Sequence, residues 1–270
     1  MRSINVAFTA TAYGPLWAPA VASWLRVVGY TAREYAIQQV GKIGGIGVTD
    51  RTYTMTAENS LVKESLANPD FTHIFMTEMD MILPPDTITK LLALDKDMAS
   101  GLYFLRSDIQ AGRGQPCLYK KAPLREATDQ AKRSFNPYYH TPVTLFNKND
   151  PFQVDCAGLG CVLFKREVFE KLEYPWFDLK AGTDVKIGYG SDMYFYHHAR
   201  KAGFELWVDP SVQCKQIDYY ETDIEDYNWQ LENNPHFASI GFIIGERGKN
   251  GTADAERRSG DDAPPAESDK

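Results

Sequence analysis

Phe71-Thr-His-Ile-Phe-Met-Thr-Glu-Met-Asp-Met-Ile-Leu-Pro-Pro-Asp86 decides how this chain is read. The apolar run His73 to Met76 predicts a buried strand. It ends in two carboxylates, Glu78 and Asp80, two positions apart. Residues at i and i+2 of an extended chain point to the same side. Both acids can therefore reach one hard cation beyond the carboxyl end of a strand, the edge at which open α/β sheets bind ligands. Pro84 and Pro85 stop the strand, and Asp86 is placed to cap a helix over Thr87 to Leu94.

The pattern outward from this stretch alternates strand and helix. Ile4 to Thr9 reads as a first strand and Trp17 to Val28 as a helix. A second strand is expected within Ala32 to Val40, and the glycines from Gly41 to Gly47 are expected to form a loop. That loop lacks the first glycine and the Ser or Thr of a phosphate-binding loop, since Ile43 follows Gly41-Lys42. Thr54 to Ala67 predicts a helix and Asp97 to Phe104 a strand. Such alternation implies a largely parallel sheet covered on both faces. Residues 106–152 lose the periodicity and read as a binding loop or lid. Beyond them come a glycine-containing strand ending near Lys165, a helix Arg166 to Leu172, a helix opening at Gly188 to Asp192 and running to Lys201, and two strands, Phe204 to Val208 and Ser211 to Ile217. Asp223 to Asn233 reads as a last helix. The tail 246–270 has the composition of a disordered segment. One domain over 1–245 is expected, with a first half, 1–105, and a second half, 106–245.

The chain has 270 residues, 43% hydrophobic and 13% aromatic, and carries a net charge of -7. This argues against a general grip on nucleic acid. The basic residues Lys120, Lys121, Arg125, Lys132 and Arg133 read as a solvated strip. The four cysteines, Cys117, Cys156, Cys161 and Cys214, form no Cys-x-x-Cys pair and read as buried reduced thiols, which suits a cytoplasmic protein. There is no signal peptide pattern and no apolar run long enough for a membrane span.

Five segments in order carry a resemblance. They are Thr72 to Asp86, then Asp97-Met-Ala-Ser-Gly-Leu-Tyr103, then Ala157-Gly-Leu-Gly-Cys-Val-Leu-Phe-Lys-Arg166. Gly190-Ser-Asp192 and Lys201-Ala-Gly-Phe-Glu-Leu-Trp-Val-Asp209 follow. Over roughly residues 1–217 the chain resembles a GT-A glycosyltransferase of the family-2-like kind. The resemblance implies a three-layer α/β/α fold with a mixed, mostly parallel sheet. It implies transfer of a sugar from a nucleotide diphosphate donor to an acceptor hydroxyl, with inversion if Asp192 is the general base. Glu78-Met79-Asp80 matches the family's Asp-x-Asp motif, which implies Mn²⁺ or Mg²⁺ on the donor diphosphate. A hard cation there neutralises the charge of the leaving group. Thr9, Ala10 and Thr11 fall where the family contacts the nucleotide base.

Some readings stay open. Gly158 and Gly160 either admit a bound sugar close to the backbone or form a bulge. Trp176 and Phe177 either stack on an acceptor or pack inside. The sequence departs from the family at two places. Where many relatives carry a metal-binding His, this chain has Lys215 or Gln216; Gln216 could bind the cation and Lys215 the diphosphate. Glu58-Asn59 stands where relatives carry Arg-Asn. A nucleotidyltransferase, or a nucleotide-sugar-binding module without turnover, are the alternative functions.

Overall fold

The structure is a computed structural model that describes residues 3–49, 52–107, 112–121, 140–179, 190–218, 220–233, 237 and 242–244. Its strands are β1 (Ile4–Thr11), β2 (Gly41–Val48), β3 (His73–Glu78), β4 (Met81–Ile82), β5 (Met98–Leu102), β6 (Phe104–Ser107), β7 (Gly112–Pro116), β8 (Leu118–Lys121) and β9 (His140–Leu145). They continue as β10 (Phe152–Val154), β11 (Cys156–Ala157), β12 (Cys161–Lys165), β13 (Leu206–Gln213), β14 (Lys215–Asp218), β15 (Tyr220–Thr222) and β16 (Phe242–Ile243). The helices are α1 (Ala18–Gln38), α2 (Thr54–Ala67), α3 (Thr87–Ala93), α4 (Arg166–Lys171), α5 (Ser191–Lys201) and α6 (Ile224–Asn233).

The central sheet has seven strands in the order β10-β13-β5-β12-β3-β1-β2. β1, β2 and β3 are mutually parallel, and β13 is parallel to β5. β12 runs antiparallel between β3 and β5, and β10 runs antiparallel on β13. Because every strand alternates its side chains, the sheet feeds two cores. Ile74 and Met76 of β3, with Val162 and Phe164 of β12, face a core shared with Val62 of α2, Phe169 of α4 and Phe195 of α5. Phe75 and Leu163 face the other way, against Trp24 and Val27 of α1 and Ile88 and Leu91 of α3. This is the expected three-layer α/β/α fold with a mixed, mostly parallel sheet.

Two features of that scaffold set the carboxyl rim of the sheet. Helix α1 buries a stripe at helical spacing, Ala20, Trp24, Val27, Thr31 and Tyr35. From this stripe Trp24 Nε1 donates to Met81 O at 3.1 Å, and Ser23 Oγ accepts from Leu83 N at 3.1 Å. The chain just after Asp80 is thereby tied to a helix. On the far side of β3, Thr77 Oγ1 donates to Gly160 O at 2.7 Å and Ser100 Oγ to Cys161 O at 3.1 Å, which fixes the entry of β12.

The second strand lies elsewhere than expected. Helix α1 runs through the segment 32–38, where the strand was anticipated, because Thr31 and Tyr35 continue its buried stripe. The glycine stretch expected as a loop is β2 itself. Its glycines serve close approach. A Cβ on Gly41 would lie 1.6 Å from Ile4 O, and one on Gly44 would lie 2.7 Å from the Phe71 ring. Residues 106–152 also depart from expectation, since their described parts include the strands β7, β8 and β9. Asp86 makes no capping bond to α3; its carboxylate instead meets Lys90 Nζ at 2.9 Å. Gly203 takes a φ of 91° after α5, the left-handed conformation that commonly closes a helix. All four cysteines are free and buried. Among the described residues no helix is long and apolar enough to cross a membrane. The 246–270 tail, Arg125, Lys132 and Arg133 lie outside the described residues.

Gly41→Ala is expected to cost about 1–3 kcal/mol in urea unfolding, the usual penalty of overpacking. Gly45→Ala, whose Cβ would meet nothing within 4 Å, should change stability by less than about 0.5 kcal/mol. Equal losses in both variants would show that the glycines of β2 are not there for contact.

Candidate functional site

A cleft of about 460 Å³ opens at the carboxyl rim of the sheet. Glu78, the last residue of β3, reaches it from the floor. Ser191 and Asp192 enter from the first turn of α5, and Glu58 enters from α2. Tyr103 and Tyr119 line the wall, and Tyr53, 85% exposed, stands at the mouth. The amino ends of α2 and α5 both abut the cleft, where helix dipoles ease the presence of negative charge.

The acids are close enough to perturb one another. Glu58 is only 2% exposed. Its Oε1 accepts from Ser191 Oγ at 3.1 Å, and its Oε2 is buried with no hydrogen-bond partner. Burial, with a smaller push from Asp192, raises its carboxyl to about 8. Burial also raises Glu78 to about 8, with Asp80, Glu58 and Asp192 adding to the effect. Asp192 is pushed above the usual carboxylate range by burial, against the bond its Oδ1 accepts from Met193 N at 2.7 Å. Tyr13, in the loop after β1, feels burial first and then Glu78, Asp80 and Glu58, which drive its phenol upward. Among the described residues that line the cleft there is no Lys, Arg or His.

The structure thus brings together three of the residues singled out in the sequence, Glu78, Gly158 and Asp192. Asp80 lies outside the cleft lining, turned to β14, where its Oδ2 accepts from Gln216 Nε2 at 3.0 Å. Ile217 N donates to Asp80 O at 2.8 Å, so the backbone is held there as well. Lys215 forms an ion pair with Asp223 at 3.4 Å. Thr9, Ala10 and Thr11 end β1 beside β3, with Thr11 opposite Glu78 in register. All three are buried, and Thr9 Oγ1 donates to Phe75 O at 2.9 Å. The space for a Cβ on Gly158 is filled by Tyr103 Oη at 1.9 Å and Cys117 Sγ at 2.7 Å, and at Gly160 by the Tyr103 ring at 3.0 Å. Tyr103 Oη also accepts from Gly160 N at 3.3 Å. These glycines seat a tyrosine that lines the cleft.

Trp176 and Phe177 pack inside. Phe177 is buried and stacks on Phe195 at 4.9 Å, and Trp176 Nε1 donates to Phe169 O at 2.9 Å. Asn59 clamps this loop. Its Oδ1 accepts from Trp176 N at 3.0 Å, and its Nδ2 donates to Phe177 O at 2.7 Å. Glu58 and the tyrosines are the site residues that the sequence reading passed over. The one signal for Glu58 was its departure from the family's Arg at that position.

Among the described residues no three His, Cys, Asp or Glu side chains cluster so as to enclose a metal ion. A closed cage is not required for a magnesium-type cation, which binds one or two carboxylates and takes its other oxygens from phosphate and water. Glu78 and Asp80 provide two carboxylates. Gln216 adds a buried Oε1 with no hydrogen-bond partner, on the same amide that touches Asp80. All three are oxygen donors of the kind a hard cation takes; Glu78 lines the cleft, whereas Asp80 and Gln216 face each other at β14, so one cation takes all three only if Asp80 turns to the cleft.

No family model matches the chain, and no curated protein matches it in sequence. Solved structures do match in shape. A197 from STIV superposes with a TM-score of 0.50 at 15% identity, covering 80% of this chain and 86% of that one. GalNAc-T7, solved with UDP, GalNAc and Mn²⁺, gives 0.48 at 13% identity, covering 80% of this chain and 43% of that one. The inositol-1-phosphate CTP transferase from T. maritima gives 0.37 at 12% identity, covering 81% and 90%. This chain therefore spans less than half the length of the GalNAc-T7 chain. At these identities the likeness shows the fold alone.

A buried carboxyl raised to about 8 holds a proton in the folded protein that it releases in the unfolded chain at any pH above about 4.5. Folding stability contributed by Glu58 is therefore present at low pH and lost as pH climbs toward 8. Glu58→Gln removes that titration. Its melting temperature should exceed that of the wild type by a margin that widens from pH 5 to pH 8, reaching on the order of a few °C. A margin that is flat or narrows with pH would contradict the burial argument.

Proposed function

We propose that this protein transfers a sugar from a nucleotide diphosphate donor to an acceptor hydroxyl, with inversion at the anomeric carbon. The observation that carries this reading is the meeting of Glu78 and Asp192 in one cleft, although 113 residues separate them in sequence. One acid ends a sheet strand and the other begins a helix, so the fold spends two independent elements on bringing carboxylates together.

Each residue then has a task. Asp192 takes the proton of the acceptor hydroxyl as that oxygen attacks. A carboxylate raised by burial is a stronger base than one in water, which suits it to this role. Glu78, Asp80 and Gln216 would hold Mn²⁺ or Mg²⁺. Bound there, the cation would neutralise the charge that develops on the departing diphosphate. Tyr103, seated by Gly158 and Gly160, shapes the wall and keeps water from one side of the cleft. Thr9, Ala10 and Thr11 lie at the same rim as Glu78, in the position proposed for the nucleotide end of the donor. Lys215 is proposed to reach the diphosphate, exchanging its exposed pairing with Asp223 for that contact.

The reading is tested by incubating the protein with a panel of nucleotide sugars and Mn²⁺ while scoring released nucleoside diphosphate. Nucleoside diphosphate is expected. Pyrophosphate released from a nucleoside triphosphate would instead assign the protein to nucleotidyl transfer, and nucleotide-sugar binding without any turnover would leave it a binding module. Asp192→Asn should lower the transfer rate by about 10²–10⁴ with donor affinity retained. Full activity in that variant would remove Asp192 from the chemistry. Asp80→Ala should abolish the dependence of donor affinity on Mn²⁺, read by calorimetry; an unchanged dependence would place the cation elsewhere.

A further inference from the structure

The transfer reading gives tasks to Glu78 and Asp192 but none to Glu58, the most buried of the three acids lining the cleft. Helix α2 carries it inward, where one oxygen is held by Ser191 Oγ at 3.1 Å and the other has no hydrogen-bond partner among the described residues. A buried oxygen left in that state costs free energy. A group that satisfied it on binding would regain that loss. Three further observations describe the group. The described lining of the cleft holds three carboxyl groups and no Lys, Arg or His, so no like charge there opposes a cationic ligand. Tyr53 and Tyr119 offer aromatic rings beside those acids, and a tyrosine face attracts an ammonium group. The Ser191 hydroxyl, bonded to Oε1, fixes the Glu58 carboxylate and leaves Oε2 as the atom for the ligand.

We propose that Glu58, with Tyr53 at the mouth, recognises a protonated primary amine on the acceptor. The amine donates a charge-assisted hydrogen bond to Glu58 Oε2 and lies against the tyrosine ring. This rests on the transfer reading only in calling the amine-bearing molecule an acceptor. The amine can belong to an amino sugar or to a lysyl side chain, and the two sources are separable. Burial keeps the Glu58 carboxyl protonated at neutral pH in the empty cleft; an ammonium group beside it favours the charged form, so the proton leaves as the amine binds.

The test is binding by calorimetry at pH 7 with a chelator present and no donor. Under those conditions transfer cannot occur, so the outcome is independent of whether the protein turns over. Glucosamine is compared with glucose, and a lysine-containing pentapeptide with its norleucine counterpart. Wild type should bind one amine at least tenfold more tightly than its neutral partner, and the preferred pair identifies the source. Glu58→Gln should abolish that ratio, its fold being verified by melting. Tyr53→Leu, at an 85% exposed position where folding is not at stake, should reduce the ratio by about two- to fivefold. Equal binding of amine and neutral partner in both pairs, absence of binding in both, or a ratio that survives Glu58→Gln would overturn the proposal.

Discussion

Carboxyl groups do not gather in a half-buried cleft without something holding them there. Glu58, Glu78 and Asp192 each arrive on a different element, and each is raised by burial. What holds them is the apolar packing behind. The cores on the two faces of the sheet fix β3, α2 and α5 as rigid bodies, and the acids at their ends follow. The cost of crowding charge at the rim is offset by large buried faces well away from it, the arrangement expected where strain is kept at a site.

The antiparallel strand β12 is central to that arrangement. It separates β3 from β5, and its entry turn carries Gly158 and Gly160 into contact with Tyr103. A side chain at either glycine would displace the tyrosine that forms the cleft wall. The tie from α1 to Met81 and Leu83 acts on the opposite side and holds the chain that leaves Asp80. Asp80 in turn faces β14 through Gln216, so the two acids of the Glu-x-Asp pair serve adjoining spaces. Alternation in an extended chain puts i and i+2 on one side, but the strand ends at Glu78, and a turn at Met79 and Asp80 breaks the rule at the point of interest.

Much of this was legible in the amino-acid order. The apolar run at His73 and the acids after it marked the central strand and its rim, because burial and charge leave strong local signatures. Asp192 could be placed through its glycine-rich approach and the helix that follows. Strand β2 was not legible, since Gly41, Gly44, Gly45 and Gly47 carry no alternating side chains and look like a loop; the proximity of Ile4 and Phe71 accounts for Gly41 and Gly44. Helix α1 outran its expected end because the stripe through Thr31 and Tyr35 contains polar atoms. Glu58 was visible only as an oddity of residue type, as its burial depends on α5 arriving from far along the chain. The three tyrosines of the cleft carry no spacing pattern at all.

Asn59 adjoins Glu58 on the same turn of α2. One residue turns to the cleft, and the next grips the backbone of Trp176 and Phe177 through both ends of its amide. That turn works as a hinge pin shared by two doors. The Trp176 segment and the Glu58 carboxyl are thus anchored on neighbouring residues of one helical turn, and a loop far along the chain shares its support with the cleft.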